Sequence, residues 1–131
     1  MRIMFDTNIL ISAIIFSNDA MDLLMSKASL SYQIVLSSYI IDELLDVAAR
    51  KFPNKVRDID RFLTRLPYEL VYTPREIPYD LFAIRDVNDY PVLYSAIIGD
   101  VDIFITGDSD FLVVEIDGLE IITPSTFLNE Y

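Results

Sequence analysis

With no histidine and no cysteine in its 131 residues, the chain lacks the commonest general base and the commonest transition-metal ligand. It also lacks thiol nucleophiles, thiolate zinc sites and disulfides. Hydrolytic chemistry would have to run on carboxylates, hydroxyls, lysine or metal-bound water. Carboxylates are plentiful: 21 Asp and Glu stand against 10 Lys and Arg, for a net charge of −11. Several recur in one kind of place, at or soon after the end of an apolar run. Asp6 follows Arg2–Phe5, and Glu43 lies early in the segment after Gln33–Leu36. Asp89 comes after the long connection Thr73–Asn88, and Asp108 and Asp110 follow Asp102–Thr106.

Taken singly, each acid has an ordinary explanation. Asp6 and Asp89 suit helix N-caps, Glu43 suits a solvated helix face, and Asp108 and Asp110 suit a turn. Taken together they require a common cause. Two unit charges roughly 4 Å apart repel by about 4 kcal/mol at an effective dielectric near 20. A cluster of them would strain the fold or raise its own pKa values. A hard divalent cation reverses that sign, and oxygen-only ligation points to magnesium or manganese. Such an ion activates water and stabilises charge on a phosphodiester.

The elements that must position these acids can be read from periodicity. Strands are expected at Arg2–Phe5, Gln33–Leu36, Glu69–Tyr72, Asp102–Thr106 and Leu119–Thr123. A helix can begin near Asn8. A second, capped by Asp19, turns Ala20, Leu23, Leu24 and Ala28 inward. Ser37 or Ser38 caps a third that buries Ile40, Ile41, Leu44, Leu45, Ala48 and Phe52 before Pro53 stops it. Asn54 can cap the next, with Val56, Ile59, Leu63 and Leu66 on one face and Pro67 at its end. Asp89 caps a helix with Pro91 in its first turn and Gly99 at its close, and Pro124 starts the last. Strands alternating with helices, without hairpin signals, imply a mainly parallel five-stranded sheet in a three-layer α/β/α fold, one domain over residues 1–131. Open sheets of this kind bind ligands at the carboxyl ends of their strands, where these acids fall.

Composition narrows the classes further. Over half the residues are hydrophobic and Gly and Pro are sparse, which excludes disorder. Met1–Phe16 resembles a leader because of its apolar run Ile9–Phe16, but Asp6, Thr7 and Asn8 sit inside the would-be apolar region and no small-residue cleavage site follows. No run approaches the ~20 apolar residues of a membrane span. A cytoplasmic protein with no membrane association is expected. The net charge opposes broad affinity for nucleic acid. Yet Arg50, Lys51, Lys55, Arg57, Arg61 and Arg65 form a basic stretch, either a solvated helix face or a strip for phosphates or an acidic partner.

At these residues the chain resembles the PIN-domain nucleases, and among them the VapC-type toxin ribonucleases of toxin–antitoxin pairs. The matching pieces are Asp6-Thr7-Asn8 after the first strand and Ser38-Tyr39-Ile40-Ile41-Asp42-Glu43-Leu44. Arg85-Asp86-Val87-Asn88-Asp89 and Ile105-Thr106-Gly107-Asp108-Ser109-Asp110-Phe111-Leu112 follow, then Ile122-Thr123-Pro124 with Phe127-Leu128. Each is weak alone, but the ordered set spans the chain. The resemblance implies a PIN-like fold and an endoribonuclease dependent on Mg2+ or Mn2+. Asp6, Glu43, Asp89 and Asp108 would be its catalytic, metal-holding acids, with Asp110 an extra or substitute ligand. Thr7, Asn8 and Thr106 would orient ligands or water. A homodimer, an RNA substrate and a silencing cognate antitoxin are implied with them. Asp86 rivals Asp89 for the third position, and Tyr90-Pro91 is bulky enough to alter access.

Two alternatives stand beside this reading. A PIN-like interaction module without catalysis would show no metal-dependent cleavage to lose in Asp6→Asn or Asp89→Asn. A haloacid-dehalogenase-like phosphatase would want a second Asp where Asn8 stands and a lysine after a later strand, and the chain has neither. A calcium loop at Asp108–Glu115 is poorer still, because Phe111–Val114 is apolar and the turn glycine is missing.

Overall fold

The computed structural model describes residues 1–131. The five apolar runs become strands β1 (Arg2–Phe5), β2 (Gln33–Ser37), β3 (Tyr68–Val71), β4 (Ile103–Ile105) and β5 (Glu120–Ile122). They form one sheet in the order β3-β2-β1-β4-β5, and every pairing is parallel. The helices between them are α1 (Thr7–Ile14), α2 (Asp19–Ser31), α3 (Ser38–Lys51), α4 (Val56–Arg65), α5 (Tyr90–Ile98), α6 (Ser109–Leu112) and α7 (Pro124–Glu130). This is the expected three-layer α/β/α architecture. The central strands bury Ile3, Met4, Phe5, Ile34, Val35, Leu36, Ile103, Phe104 and Ile105 completely. That is the pattern of a sheet covered on both faces.

The strand order fixes where a site can lie. From β1 the chain steps to β2 and β3 on one side. It then crosses through α5 to β4 on the other side of β1 and continues outward to β5. The reversal falls between β1 and β4, and the crevice outside their carboxyl ends is the switch point where such sheets bind ligands. Phe5 is in register with Ile105, so Asp6 and Thr106 leave the sheet side by side.

Several local expectations are corrected. Asn18, not Asp19, caps α2 by accepting from Met21 N–H. The buried face of that helix is Leu24, Met25 and Ala28, while Leu23 is 58% exposed. Ser37 is the residue that caps α3, accepting from Ile40 N–H at 3.1 Å. Asn54 caps nothing: Pro53–Lys55 forms a single 3-10 turn that runs into α4 without a side-chain cap. Strand β3 starts one residue earlier than expected and ends at Val71. No single helix is long and apolar enough to cross a membrane.

Candidate active site

Asp6 sits at the switch point, buried, with both carboxylate oxygens held. Thr7 N–H donates to Oδ1 at 2.8 Å. The Thr106 hydroxyl, buried at the end of β4, donates to Oδ2 at 2.8 Å. Thr106 Oγ1 also accepts from Asp108 N–H at 3.0 Å, so one hydroxyl links the acids that follow β1 and β4. Burial pushes the Asp6 pKa up; these two hydrogen bonds oppose the shift, and the charges of Glu43 and Asp108 add to it.

Asp89 stands at the N-cap position of α5, as expected, but its side chain does not do the capping. The chain makes a 3-10 turn at Val87–Asp89, and Asp86 caps that turn by accepting from Asn88 N–H at 3.0 Å. Asp89 has no side-chain cap bond. Its carboxylate is left free, and its pKa is pushed up to about 6, first by burial and then by the charges of Asp86, Asp108, Asp6 and Glu43. Asp6, Glu43, Asp89 and Asp108 therefore sense one another, although they arise from four separate segments. None of the four has a salt-bridge partner.

Asp89, Asp108 and Asp110 each offer an oxygen, and the three atoms lie within 4.8 Å of one another. Two of these acids also have local work. Asp108 Oδ1 accepts from Asp110 N–H at 2.9 Å, capping α6. Asp110 Oδ2 accepts from Arg85 Nε at 2.9 Å and Nη2 at 2.6 Å, and this ion pair holds its pKa down. Asp110 is thus an acid with a resident countercharge, unlike its neighbours.

The acids that come together, Asp89, Asp108 and Asp110, offer oxygen alone, the donor type a hard divalent cation takes, and Asp89 and Asp108 have no salt-bridge partner. Beside Asp6, Thr7 Oγ1 is a buried hydroxyl with no hydrogen-bond partner. Buried polar atoms are nearly always satisfied, so an orphan at this position fits a site that takes a water or a ligand. Asn8, expected to help orient a ligand, is exposed in the first turn of α1.

Tyr39 and Arg85 are members of the site that residue spacing does not single out. The Tyr39 hydroxyl donates to the carbonyl of Asn88 at 3.0 Å. Its pKa is raised by burial and then by Glu43 and Asp89, so it lies against the acids. A tyrosine in the turn before Glu43 was the available signal; the Arg85–Asp110 pair spans 25 residues and left none. Tyr90 does not obstruct the site. It is buried, stacked on Phe82 with ring centroids 4.0 Å apart, and its hydroxyl accepts from Leu81 N–H at 2.9 Å. It pins the long connection rather than closing it.

The basic stretch lies elsewhere. Lys55 and Arg61 share Asp58 at 3.8 and 3.7 Å, and Arg50 pairs with Asp46. Arg61 and Arg65 line a groove of about 710 Å3 between α1, α2 and α4, in which none of the clustered acids takes part.

A PIN-domain family model matches residues 2–110. No curated protein sequence matches the chain. Among solved structures, a chain in the crystal structure of VapBC2 from Rickettsia felis bound to a DNA fragment from their promoter is similar in fold. The TM-score is 0.71 at 19% sequence identity, over 94% of this chain and 98% of that one.

Proposed function

The chain belongs to the PIN-domain family, and from that premise we propose that it is a Mg2+- or Mn2+-dependent ribonuclease, the toxin of a toxin–antitoxin pair. The observation that carries the reading is the convergence of acids from four segments: burial and then the charges of Glu43 and Asp108 raise the Asp6 and Asp89 pKa values, and none of the four carboxylates is in a salt bridge. These four would hold the ion, with Asp110 an auxiliary ligand once Arg85 yields an oxygen. Bound there, magnesium or manganese would supply the charge that activates water and stabilises a phosphodiester under attack.

The chain's own residues prepare that chemistry. Thr7 N–H and the Thr106 hydroxyl fix the orientation of Asp6, so its carboxylate would be held in place to serve as a ligand. Thr106 holds the backbone of Asp108 in the same frame. Asp89, its pKa pushed up to about 6, would bind a cation in its deprotonated form, so a bound ion would favour loss of that proton. Thr7 and Asn8 are left to orient water or a substrate oxygen.

On the fold likeness to VapBC2 we assign a cognate antitoxin as protein partner, and with it a homodimeric, cytoplasmic toxin built as one PIN-like domain over residues 1–131. The groove between α2 and α4 suits such a partner, with Leu30 86% exposed on its rim and Arg61 and Arg65 on its wall.

The deciding experiment is cleavage of single-stranded RNA with and without Mg2+ or Mn2+. Outer partners of metal ligands typically cost 10- to 100-fold, so Asp6→Asn and Asp89→Asn should each lower the rate by more than about a hundredfold. Circular dichroism melting should show both variants folded. Absence of cation-dependent cleavage by the wild type would leave the silent interaction module as the better reading.

A further inference from the structure

Beside the acids lies a second, smaller cavity of about 280 Å3. Its walls include Ser38, Tyr39, Asp42, Thr73, Arg75, Tyr79 and Pro91. Its position is tied to the site at three points. Asp42 adjoins Glu43 in sequence, Pro91 stands two residues after Asp89, and Tyr39 bonds to Asn88. We propose that this cavity is a nucleotide subsite, taking one unpaired nucleotide of a single-stranded RNA next to the phosphodiester held at the acids. The proposal rests on the ribonuclease reading and names how its substrate is gripped.

Three features favour that occupant. The first is aromatic surface: Tyr79 is 56% exposed although its ring packs on Tyr90 at 4.8 Å, so a face backed by protein remains open to solvent. Bases of single strands stack on such rings, whereas bases in a duplex are not available to do so. The second is charge. Arg75 is an exposed guanidinium without a salt-bridge partner, a cation free to meet a phosphate or stack on a base. The third is rigidity. Thr73 N–H donates to Ser38 Oγ at 2.9 Å, and Thr73 Oγ1 lies 2.7 Å from Ser95 Oγ. Tyr90, buried and stacked on Phe82, backs the Tyr79 wall. Ligand pockets are usually preformed and of about 300–1,000 Å3; at about 280 Å3 this cavity falls just below that range, room for one nucleotide rather than several. With a net charge of −11, affinity for RNA has to come from such local contacts rather than from the field of the whole molecule.

The test is fluorescence anisotropy of a labelled single-stranded hexaribonucleotide with Mg2+, in an Asp6→Asn background that prevents cleavage. Tyr79→Leu should weaken binding by about tenfold, while Tyr79→Phe, which keeps the ring, binds as the parent does. Arg75→Ala should weaken it more than Lys51→Ala, an equal loss of charge outside the cavity. Removing the base at one position of the hexamer should cost the parent about as much as Tyr79→Leu does, and cost Tyr79→Leu little more. The subsite is overturned by equal binding of Tyr79→Leu and Tyr79→Phe, or by equal effects of Arg75→Ala and Lys51→Ala. The two readings also separate. Ranked binding without cleavage by the wild type keeps the subsite and removes the nuclease. Cleavage with unranked binding does the reverse.

Discussion

The two edges of the sheet use the same residue types to opposite ends. At the amino edge, Arg2 opens β1 and completes a closed network. Its N–H donates to Asp102 Oδ2 at 2.8 Å, its Nε to the Gly99 carbonyl at 2.8 Å and its Nη1 to Glu69 Oε2 at 2.7 Å. The Glu69 pKa is lowered by that partner. At the carboxyl edge, Asp6 and Asp89 shift the other way, because burial and neighbouring acids act on them without any cation to answer. Carboxylates satisfied by the chain's own charges tie elements together. Carboxylates left repelling one another cost stability and are kept where a ligand repays that cost.

The sharpest way to break this contrast is to supply the missing charge. Mg2+ or Mn2+ at a hundredfold excess over its dissociation constant should raise stability by about 2.7 kcal/mol. The gain should shrink in Asp6→Asn, which removes one ligand of several, and vanish after chelation. Denaturant melts with and without the ion measure it, and coincident curves for the wild type would mean that the carboxyl edge holds no cation. The amino edge should behave differently. Arg2→Ala leaves the Gly99 carbonyl and Glu69 without their partner, and should cost about 1–2 kcal/mol whether or not metal is present. A loss that metal restores would show that the edges are coupled rather than independent.

Much of this was legible in the sequence because strand and helix identity follow from apolar spacing, and each run that became a strand is nearly continuous. The burial of α2 was not. Its apolar residues occupy more than one face, so Leu23 and Met25 are equivalent by spacing, and only packing turns Met25 inward. Asp89 does hold the N-cap position of α5, but the 3-10 turn at Val87–Asp89, capped by Asp86, gives it helical backbone angles (φ −86°, ψ −11°) and no side-chain capping bond. That local geometry, which spacing does not encode, leaves the Asp89 carboxylate free. Asp110 carried the same motif signal as Asp108, yet the long loop brings Arg85 onto it. Pairing across such a loop depends on how the loop folds, here around the Tyr79, Phe82 and Tyr90 rings, and no spacing rule encodes it.

A smaller effect tests the repulsion itself. Because Asp89 holds its proton up to about pH 6 in the folded protein against an ordinary 3.8, folding is disfavoured as pH rises through that interval. Below it both states are protonated and the penalty is absent. In chelator, Asp89→Asn should therefore stabilise the protein at pH 7.5 by about 1 kcal/mol, allowing for solvent screening of a half-buried group, and change little near pH 3.5. A stabilisation of equal size at both pH values would trace to packing rather than charge.

The smallest expected effect lies where the two regimes meet. Asp110 is part of the carboxyl edge by position, but by its lowered pKa it belongs with the satisfied acids of the amino edge. If Arg85 competes with the cation for Asp110, then Arg85→Ala removes a positive charge and frees a ligand oxygen. Mn2+ affinity, read by titration calorimetry, should tighten by about two- to fivefold. Asp110→Asn removes the ligand and leaves Arg85 without its partner, and should loosen binding. The double variant should resemble Asp110→Asn, because Arg85 acts on the metal chiefly through that one carboxylate. Looser binding in Arg85→Ala would instead mean that the ion pair positions Asp110 for the metal, and that a resident countercharge at this edge serves the site rather than opposing it.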